Sequence, residues 1–236
     1  MIKIILLLKK SYLAILIIFV VLVIDQILKI WVKTSFYYGE ERAIFGLSWA
    51  KLHFVENPGM AFGWKFGGEY GKLALSTFRL IAIGFLIYYI SRLVKRQASN
   101  GLIISFSLIL AGAVGNIIDS AFYGFIFSES DQYFSNSTAH FVGFGEGHEN
   151  FLQGKVVDML FFPFWRDSQG NALFFQHVFN IADSAITIGV LSLLLFQSKC
   201  FNRFHKKSTA TQNSEVEHSI ERDASIVLEN NDTEMA

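Results

Sequence analysis

Four apolar runs constrain this chain more than any other feature. They extend approximately from Tyr12 to Val32, Leu73 to Val94, Leu102 to Phe122 and Val178 to Gln197. Roughly 20 predominantly apolar residues of helix cross the hydrocarbon core of a bilayer. In lipid every backbone N–H and C=O must find its partner inside the segment, so each run is expected to be helical. The fold class expected is therefore an all-α membrane protein with four transmembrane helices. Composition agrees, since 52% of the 236 residues are hydrophobic and 25 are Phe, more than a soluble domain carries. The first run follows Lys3, Lys9 and Lys10, as in a secretory signal. It is too long for one, and Asp25-Gln26 stands where small cleavage-site residues belong. It is read as a retained helix.

Lysine and arginine near the helix ends set the orientation. Lys3, Lys9 and Lys10 precede the first helix, Arg92, Lys95 and Arg96 lie between the second and third, and Lys199, Arg203, Lys206 and Lys207 follow the fourth. These regions are expected to face the cytoplasm, with both termini inside and the loops of about 33–72 and 123–177 outside. The organisation expected is a cytoplasmic amino-terminus (1–11), a membrane domain (12–199) and a carboxy-terminal tail (200–236) that is polar, acidic and free of aromatics, hence disordered. In the first outer loop, Lys51 to Glu56 partly alternates apolar and polar residues and is followed by Asn57-Pro58-Gly59. This pattern predicts a short strand and a turn, and so a small sheet on the membrane surface. In the second, residues 128–150 are rich in Ser, Asn, Gly, Asp and Glu and read as a solvated excursion. Residues 151–177 include Phe161-Phe162-Pro163-Phe164-Trp165, suited to the headgroup level.

Several classes of function fall away. Twenty basic and twenty acidic residues cancel, so charge points to no nucleic-acid partner. The lone Cys200 excludes an intrachain disulfide. The histidines lack metal-ligand spacing and there is no His-Glu-x-x-His, nor a Gly-x-Ser-x-Gly nucleophile motif or phosphate loop. No metal or cofactor is expected.

Polar residues gather at one boundary instead. Gly154-Lys155-Val156-Val157-Asp158 puts a carboxylate in an apolar segment read as loop, and Phe179-Asn180-Ile181-Ala182-Asp183 puts another at the start of a hydrophobic helix. Acids near hydrocarbon are costly and mark functional sites by default. Two of them close together can share a proton and serve as general acid and general base. Asp183 would feel the positive end of its helix, leaving Asp158 to hold the proton, although a coupled pair titrates as a unit. Asp25 and Lys29 lie four apart near the outer end of the first helix, and Asn116 and Asp119 three apart at that of the third. Read singly, each has an ordinary meaning. Asp25 and Lys29 form a salt bridge within the bundle, Asn116 and Asp119 join helices, Asn180 and Asp183 make a capping-box variant, and Asp158 is a solvated loop acid. Together they converge on the same outer boundary.

Five stretches in order carry a resemblance. They are Asp25-Gln26-Ile27-Leu28-Lys29, Glu56-Asn57-Pro58-Gly59-Met60-Ala61-Phe62-Gly63, Gly112-Ala113-Val114-Gly115-Asn116-Ile117-Ile118-Asp119, Val156-Val157-Asp158, and Phe179-Asn180-Ile181-Ala182-Asp183-Ser184-Ala185-Ile186. Over roughly residues 12–199 the chain resembles the lipoprotein signal peptidases, or signal peptidase II. The resemblance implies four helices of a bacterial inner membrane with a small periplasmic β-cradle between helices one and two. It implies an aspartic endopeptidase that cuts prolipoproteins before a diacylglyceryl-modified cysteine. Asp158 and Asp183 match the catalytic aspartates. Asn57, Gly59, Asn116, Asp119, Asn180, Ala182, Asp25 and Lys29 fall in the motifs around the site. Membrane lipids and lipid-modified prolipoproteins are the implied partners, no cofactor is implied, and globomycin-type cyclic peptides are the implied inhibitors. Two departures stand out. Ser120 occupies a position that is basic in most members, and the stretch from Asp119 to Asp158 is longer than usual. Arg79, a cation near the outer end of the second helix, is expected to replace the missing base as partner of Asp119, or else to snorkel to the headgroups.

A proton-coupled transporter would also hold acids within helices, but near the midplane and often within inverted repeats, neither of which this sequence has. A non-enzymatic membrane assembly factor is the other alternative, and it would tolerate Asp→Asn changes.

Overall fold

The structure, a computed structural model, describes residues 2–58, 68–131, 137–164 and 177–195. Residues 1–192 form one compact unit, and residues 193–236 a second, of which only the last residues of a helix are described. Expectations for Gly59, Trp165, Cys200 and the acidic tail lie outside the described residues.

Helix α1 (Ile2–Ser35) begins well before the apolar run from Tyr12, because Ile4 to Leu8 continue the apolar sequence. Helix α2 spans Gly68–Lys95. It ends with Gln97 in the left-handed region (φ 55°), Gln97 N–H bonded to Val94 O at 3.0 Å and Ala98 N–H to Leu93 O at 3.0 Å. This pair of bonds is a Schellman closure, normally built on glycine. Lys10 Nζ donates to Ala98 O, so α1 and the α2–α3 turn share one end of the bundle. Helix α3 starts after Ser99, whose hydroxyl accepts Leu102 N–H at 3.4 Å, and runs from Asn100 to Ile126. Its last turns loosen into a π turn over Asp119–Tyr123, a form frequent at functional sites. Helix α4 is Ile181–Leu195. Among the described residues α1, α2 and α3 are long and apolar enough to cross a membrane, while α4 is apolar but shorter.

Three short strands make an antiparallel sheet in the order β1 (Glu41–Ala43), β2 (Lys51–Asn57), β3 (Val156–Phe161). The expected strand at Lys51–Glu56 is present. The sheet is not confined to the loop between α1 and α2, however, and Asp158 lies on a strand rather than in a loop. Asp158 apart, the run Val156-Val157-Asp158-Met159-Leu160-Phe161 is apolar on both faces because both are covered: its first four residues are all buried. Such a run has no alternation to betray it. A bulge between Leu52 and Val55 interrupts the β2–β3 register, after which Val55 faces Asp158, Glu56 faces Val157 and Asn57 faces Val156.

One apolar core joins this sheet to the helices: Val32, Phe36, Phe54, Tyr123, Phe127, Val157 and Met159. Residues 137–150 are less of an excursion than their composition predicts. They return along the end of α3, with Val142 N–H on Ile126 O (2.9 Å), Glu149 N–H on Gly124 O (2.8 Å) and a bridge between Phe127 and Phe141. Small residues let α3 and α4 approach closely, as expected where helices pack in lipid. A Cβ at Gly112 would lie 2.2 Å from Ala182 O, a backbone atom that cannot rotate away. Gly112→Val is therefore expected to destabilise the bundle by about 2–3 kcal/mol, read as a lowered thermal midpoint of the detergent-purified protein. Gly84→Ala, whose Cβ meets nothing within 4 Å, is expected to leave the midpoint unchanged.

Candidate active site

Asp25, Lys29 and Lys33 recur every fourth residue of α1 and form one polar stripe on an otherwise apolar helix. Lys29 Nζ lies 2.9 Å from Asp25 Oδ2 and 2.8 Å from Asp119 Oδ2, and donates to Asn116 Oδ1 at 3.0 Å. An ammonium has three protons, and here each has an acceptor. Asp25, Lys29 and Asp119 are at most 1% exposed. Each carboxylate also holds a backbone N–H from another element. Asp25 Oδ1 accepts Ala182 N–H (2.9 Å) in the first turn of α4, and Asp119 Oδ2 accepts Val157 N–H (3.2 Å) on β3. Gln26 Nε2 donates to Asp25 Oδ2 (3.1 Å) and Asp119 Oδ1 (3.0 Å), and Tyr123 OH donates to Gln26 Oε1 (3.2 Å). One buried ammonium thus organises α1, α3, α4 and β3. Removing one partner of such a cluster costs about 3–5 kcal/mol, because the charge left behind has no water.

The two sequence-predicted aspartates meet through backbone pairing. Leu160 N–H bonds Phe179 O at 2.7 Å and Phe179 N–H bonds Leu160 O at 3.0 Å. The residue before Asn180 is thereby tied to β3, so α4 starts beside Asp158. Asn180 Oδ1 accepts Asp183 N–H (2.9 Å) and Asp183 Oδ2 accepts Asn180 N–H (3.4 Å), the reciprocal capping box read from the sequence. That cap also orients the site. With Asn180 Oδ1 occupied by an N–H, its amide Nδ2 must face the other way, donating to Asp158 Oδ1 (2.7 Å) and Asn116 Oδ1 (3.1 Å). Lys29, which can only donate, fixes the Asn116 carbonyl in the same manner. Asn116 Nδ2 is left to donate to Asp183 Oδ1 at 2.8 Å. Asn57 Nδ2 donates to Asp158 Oδ2 at 3.3 Å. Asp158 and Asp183 are therefore the two ends of a relay through Asn180 and Asn116, anchored on Lys29.

Asp158 is 3% exposed. Burial and then the neighbouring Asp183 charge push its carboxyl up to about 7, against the opposing pull of the Asn180 and Asn57 amides and of Lys29. It is poised to exchange a proton near neutral pH.

Arg79 departs from its expected pairing. Lys29, Gln26 and Val157 N–H surround Asp119, and the Arg79 guanidinium reaches Ser120 Oγ at 3.4 Å instead. It is half-buried, and Asp183, then Asp119 and Asp158, are the carboxylates it feels. Among the described residues no cluster of His, Cys, Asp or Glu could hold a metal ion. Four contributors were not singled out from the sequence: Gln26, Tyr123, Lys33 and the Val157 N–H. The first and third had a signal, adjacency to Asp25 and the four-residue spacing from Lys29. A backbone N–H has none.

Residues 17–199 match the family of signal peptidase (SPase) II. A lipoprotein signal peptidase of Porphyromonas gingivalis is 45% identical over 186 residues, covering 74% of this chain and 77% of that protein. One from Amoebophilus asiaticus is 35% identical over 224 residues, covering 90% and 89%. A solved structure described as a bacterial membrane enzyme, determined by the in meso method, shares the fold with a TM-score of 0.51 and 24% identity over 79% of this chain and 87% of that one. The family match runs across α1 to α4 and takes in Asp158, Asp183 and every residue that links them: the chain belongs to the signal peptidase II family.

Proposed function

We propose that this chain removes the signal peptide from prolipoproteins as an aspartic endopeptidase, with Asp158 and Asp183 as its catalytic pair and the bond before the diacylglyceryl-cysteine as its target. The observation that carries the reading is the relay in which Asn180 donates to Asp158 and Asn116 to Asp183. Two acids are held at one place, and the amide orientations are fixed by donors beyond them. Asp183, which accepts amide and backbone N–H groups in the first turn of α4, carries the negative charge. Asp158 carries the proton.

The chemistry follows. The Asp183 carboxylate takes a proton from a water molecule as its oxygen attacks the scissile carbonyl, while Asp158 gives its proton to the carbonyl oxygen. The gem-diol collapses as Asp183 returns its proton to the leaving nitrogen of the lipidated cysteine and Asp158 recovers one from the diol hydroxyl. The pair ends as it began, and no group outside the chain and water is needed. Arg79 and Lys29 offset the negative charge of the neighbouring carboxylates.

The same reading places a four-helix bundle in the bacterial inner membrane, with both termini cytoplasmic and the dyad at the periplasmic face. Its sheet serves as a cradle beside the membrane, 12–199 is the peptidase domain, and globomycin-type peptides are inhibitors. Supporting the orientation, Lys10 bonds the α2–α3 turn at the opposite end of the bundle from Asp158. Family membership does not favour a transporter or an assembly factor.

Purified protein and a diacylglyceryl-modified prolipoprotein test the dyad in a gel-shift assay. Asp158→Asn and Asp183→Asn are each expected to lower cleavage by at least about 10³-fold, the scale of losing general acid–base catalysis, with unchanged thermal midpoints. Cleavage by both variants would refute the mechanism. Since Asp158 donates a proton from a carboxyl raised to about 7, activity declines as pH rises through that value. A rate profile on lipidated substrate should therefore show a basic limb near pH 7, whereas an ordinary carboxyl would give its limb near pH 4.

A further inference from the structure

A second buried charge cluster lies apart from the dyad and has no part in the steps above. Lys33 of α1 is ion-paired with Glu56 of β2, both side chains 1% exposed. Ser130, from the segment following α3, closes the cluster. Its Oγ accepts from Lys33 Nζ at 3.0 Å and donates to Glu56 Oε1 at 3.0 Å, and the ammonium sits 5.5 Å from the Phe127 ring centroid. A buried ion pair is a poor source of stability, since apolar side chains of like size are often as good or better. Its usefulness lies in fixing one arrangement among several.

The arrangement fixed here is that of β2. Glu56 is followed by Asn57, whose amide reaches Asp158 Oδ2 at 3.3 Å. The bulge between Leu52 and Val55 separates this end of β2 from the regular pairing before it. The register that delivers Asn57 is thus set locally, and Lys33–Glu56 is the link that ties it to α1. We infer that Lys33 and Glu56, with Ser130, are positioning residues for the proposed reaction, holding the Asn57 amide on Asp158 and thereby governing how readily Asp158 gives up its proton. The inference rests on Asp158 as the proton donor.

A movement of the rate profile separates positioning from plain electrostatics. Glu56 faces Lys33 and Lys155 (3.8 Å), with Tyr38 and Lys72 farther off. Asp158 faces Asp183, Lys29 and Arg79. Deleting the Lys33 and Glu56 charges together removes opposite pulls on Asp158, so through space alone the basic limb of the rate profile hardly moves. Losing the Asn57 bond makes Asp158 harder to ionise and moves the limb up.

The experiment uses the full-length protein and lipidated prolipoprotein. Lys33→Met/Glu56→Leu keeps the net charge and leaves no unpaired ion. It is expected to lower kcat about tenfold with KM unchanged, the effect of one hydrogen bond to a charged group, and to raise the limb by about half a pH unit. Asn57→Ala is expected to give the same displacement, and the triple variant no more. Wild-type kcat and limb in the folded double variant, or additive effects in the triple, overturn the inference. If the double variant does not fold, Ser130→Ala keeps both charges and should move the limb up by less; an unmoved or lowered limb overturns it. If Asp158→Asn still cleaves, the dyad itself falls. If that variant is inactive and the limb ignores Lys33 and Glu56, only the positioning role falls.

Discussion

Everything in this site depends on the three bonds of one ammonium. Lys29 holds Asp25, Asp119 and Asn116 at 2.8–3.0 Å, and each of those residues passes the constraint onward. Asp25 holds the start of α4, Asp119 holds the start of β3, and Asn116 presents its amide to Asp183. An amide side chain is ambiguous by itself, since its two ends differ little in shape. A lysine cannot accept, so it decides for Asn116, and the Asp183 N–H decides for Asn180. Two groups of fixed polarity are enough to set the direction of the whole relay. In low dielectric such a chain is strong when every member is satisfied and costly when one is not.

The dyad differs in character from the cluster that supports it. The supporting carboxylates, Asp25 and Asp119, lie against a cation and backbone donors. Asp158 has amides around it and another acid nearby, and its carboxyl rises to about 7. Four acids in one small volume thereby have different company, Asp25 and Asp119 facing the Lys29 ammonium and Asp158 and Asp183 the amides of Asn180 and Asn116. The same logic appears wherever paired carboxyls divide the roles of acid and base.

Much of this was legible in the sequence, and the reasons are specific. The apolar runs announced three of the helices, because a segment in lipid must satisfy its own backbone. Asp25 and Lys29 on one face, and Asn180 with Asp183 at a helix start, follow from the 3.6-residue repeat. The strand carrying Asp158 was not legible. Buried on both faces, it lacks the alternation that marks a half-exposed strand. Nor was Arg79's neighbour, since nothing in its spacing tells that Lys29 already fills the oxygens of Asp119. The return of residues 137–150 onto α3 was hidden for a third reason. Their polar composition describes side chains, whereas the contact is made by backbone groups of Gly124, Phe125 and Ile126.

The four-residue spacing of Asp25 and Lys29 has a consequence for how such a molecule is made. Chains enter a membrane from the amino-terminus onward, and α1 arrives first. Its partners at positions 119 and 182 are then still far behind on the ribosome. Asp25 and Lys29, 2.9 Å apart within one helix, need no other segment in order to cancel. The apolar run from Tyr12 to Val32 therefore goes into lipid with its two charges cancelled, the remaining lysines of the helix lying outside that run. When α3 and α4 follow, Asp119 and the free N–H of Ala182 join a pair that already exists. The residues that later organise the finished enzyme also serve as the passport of its first helix.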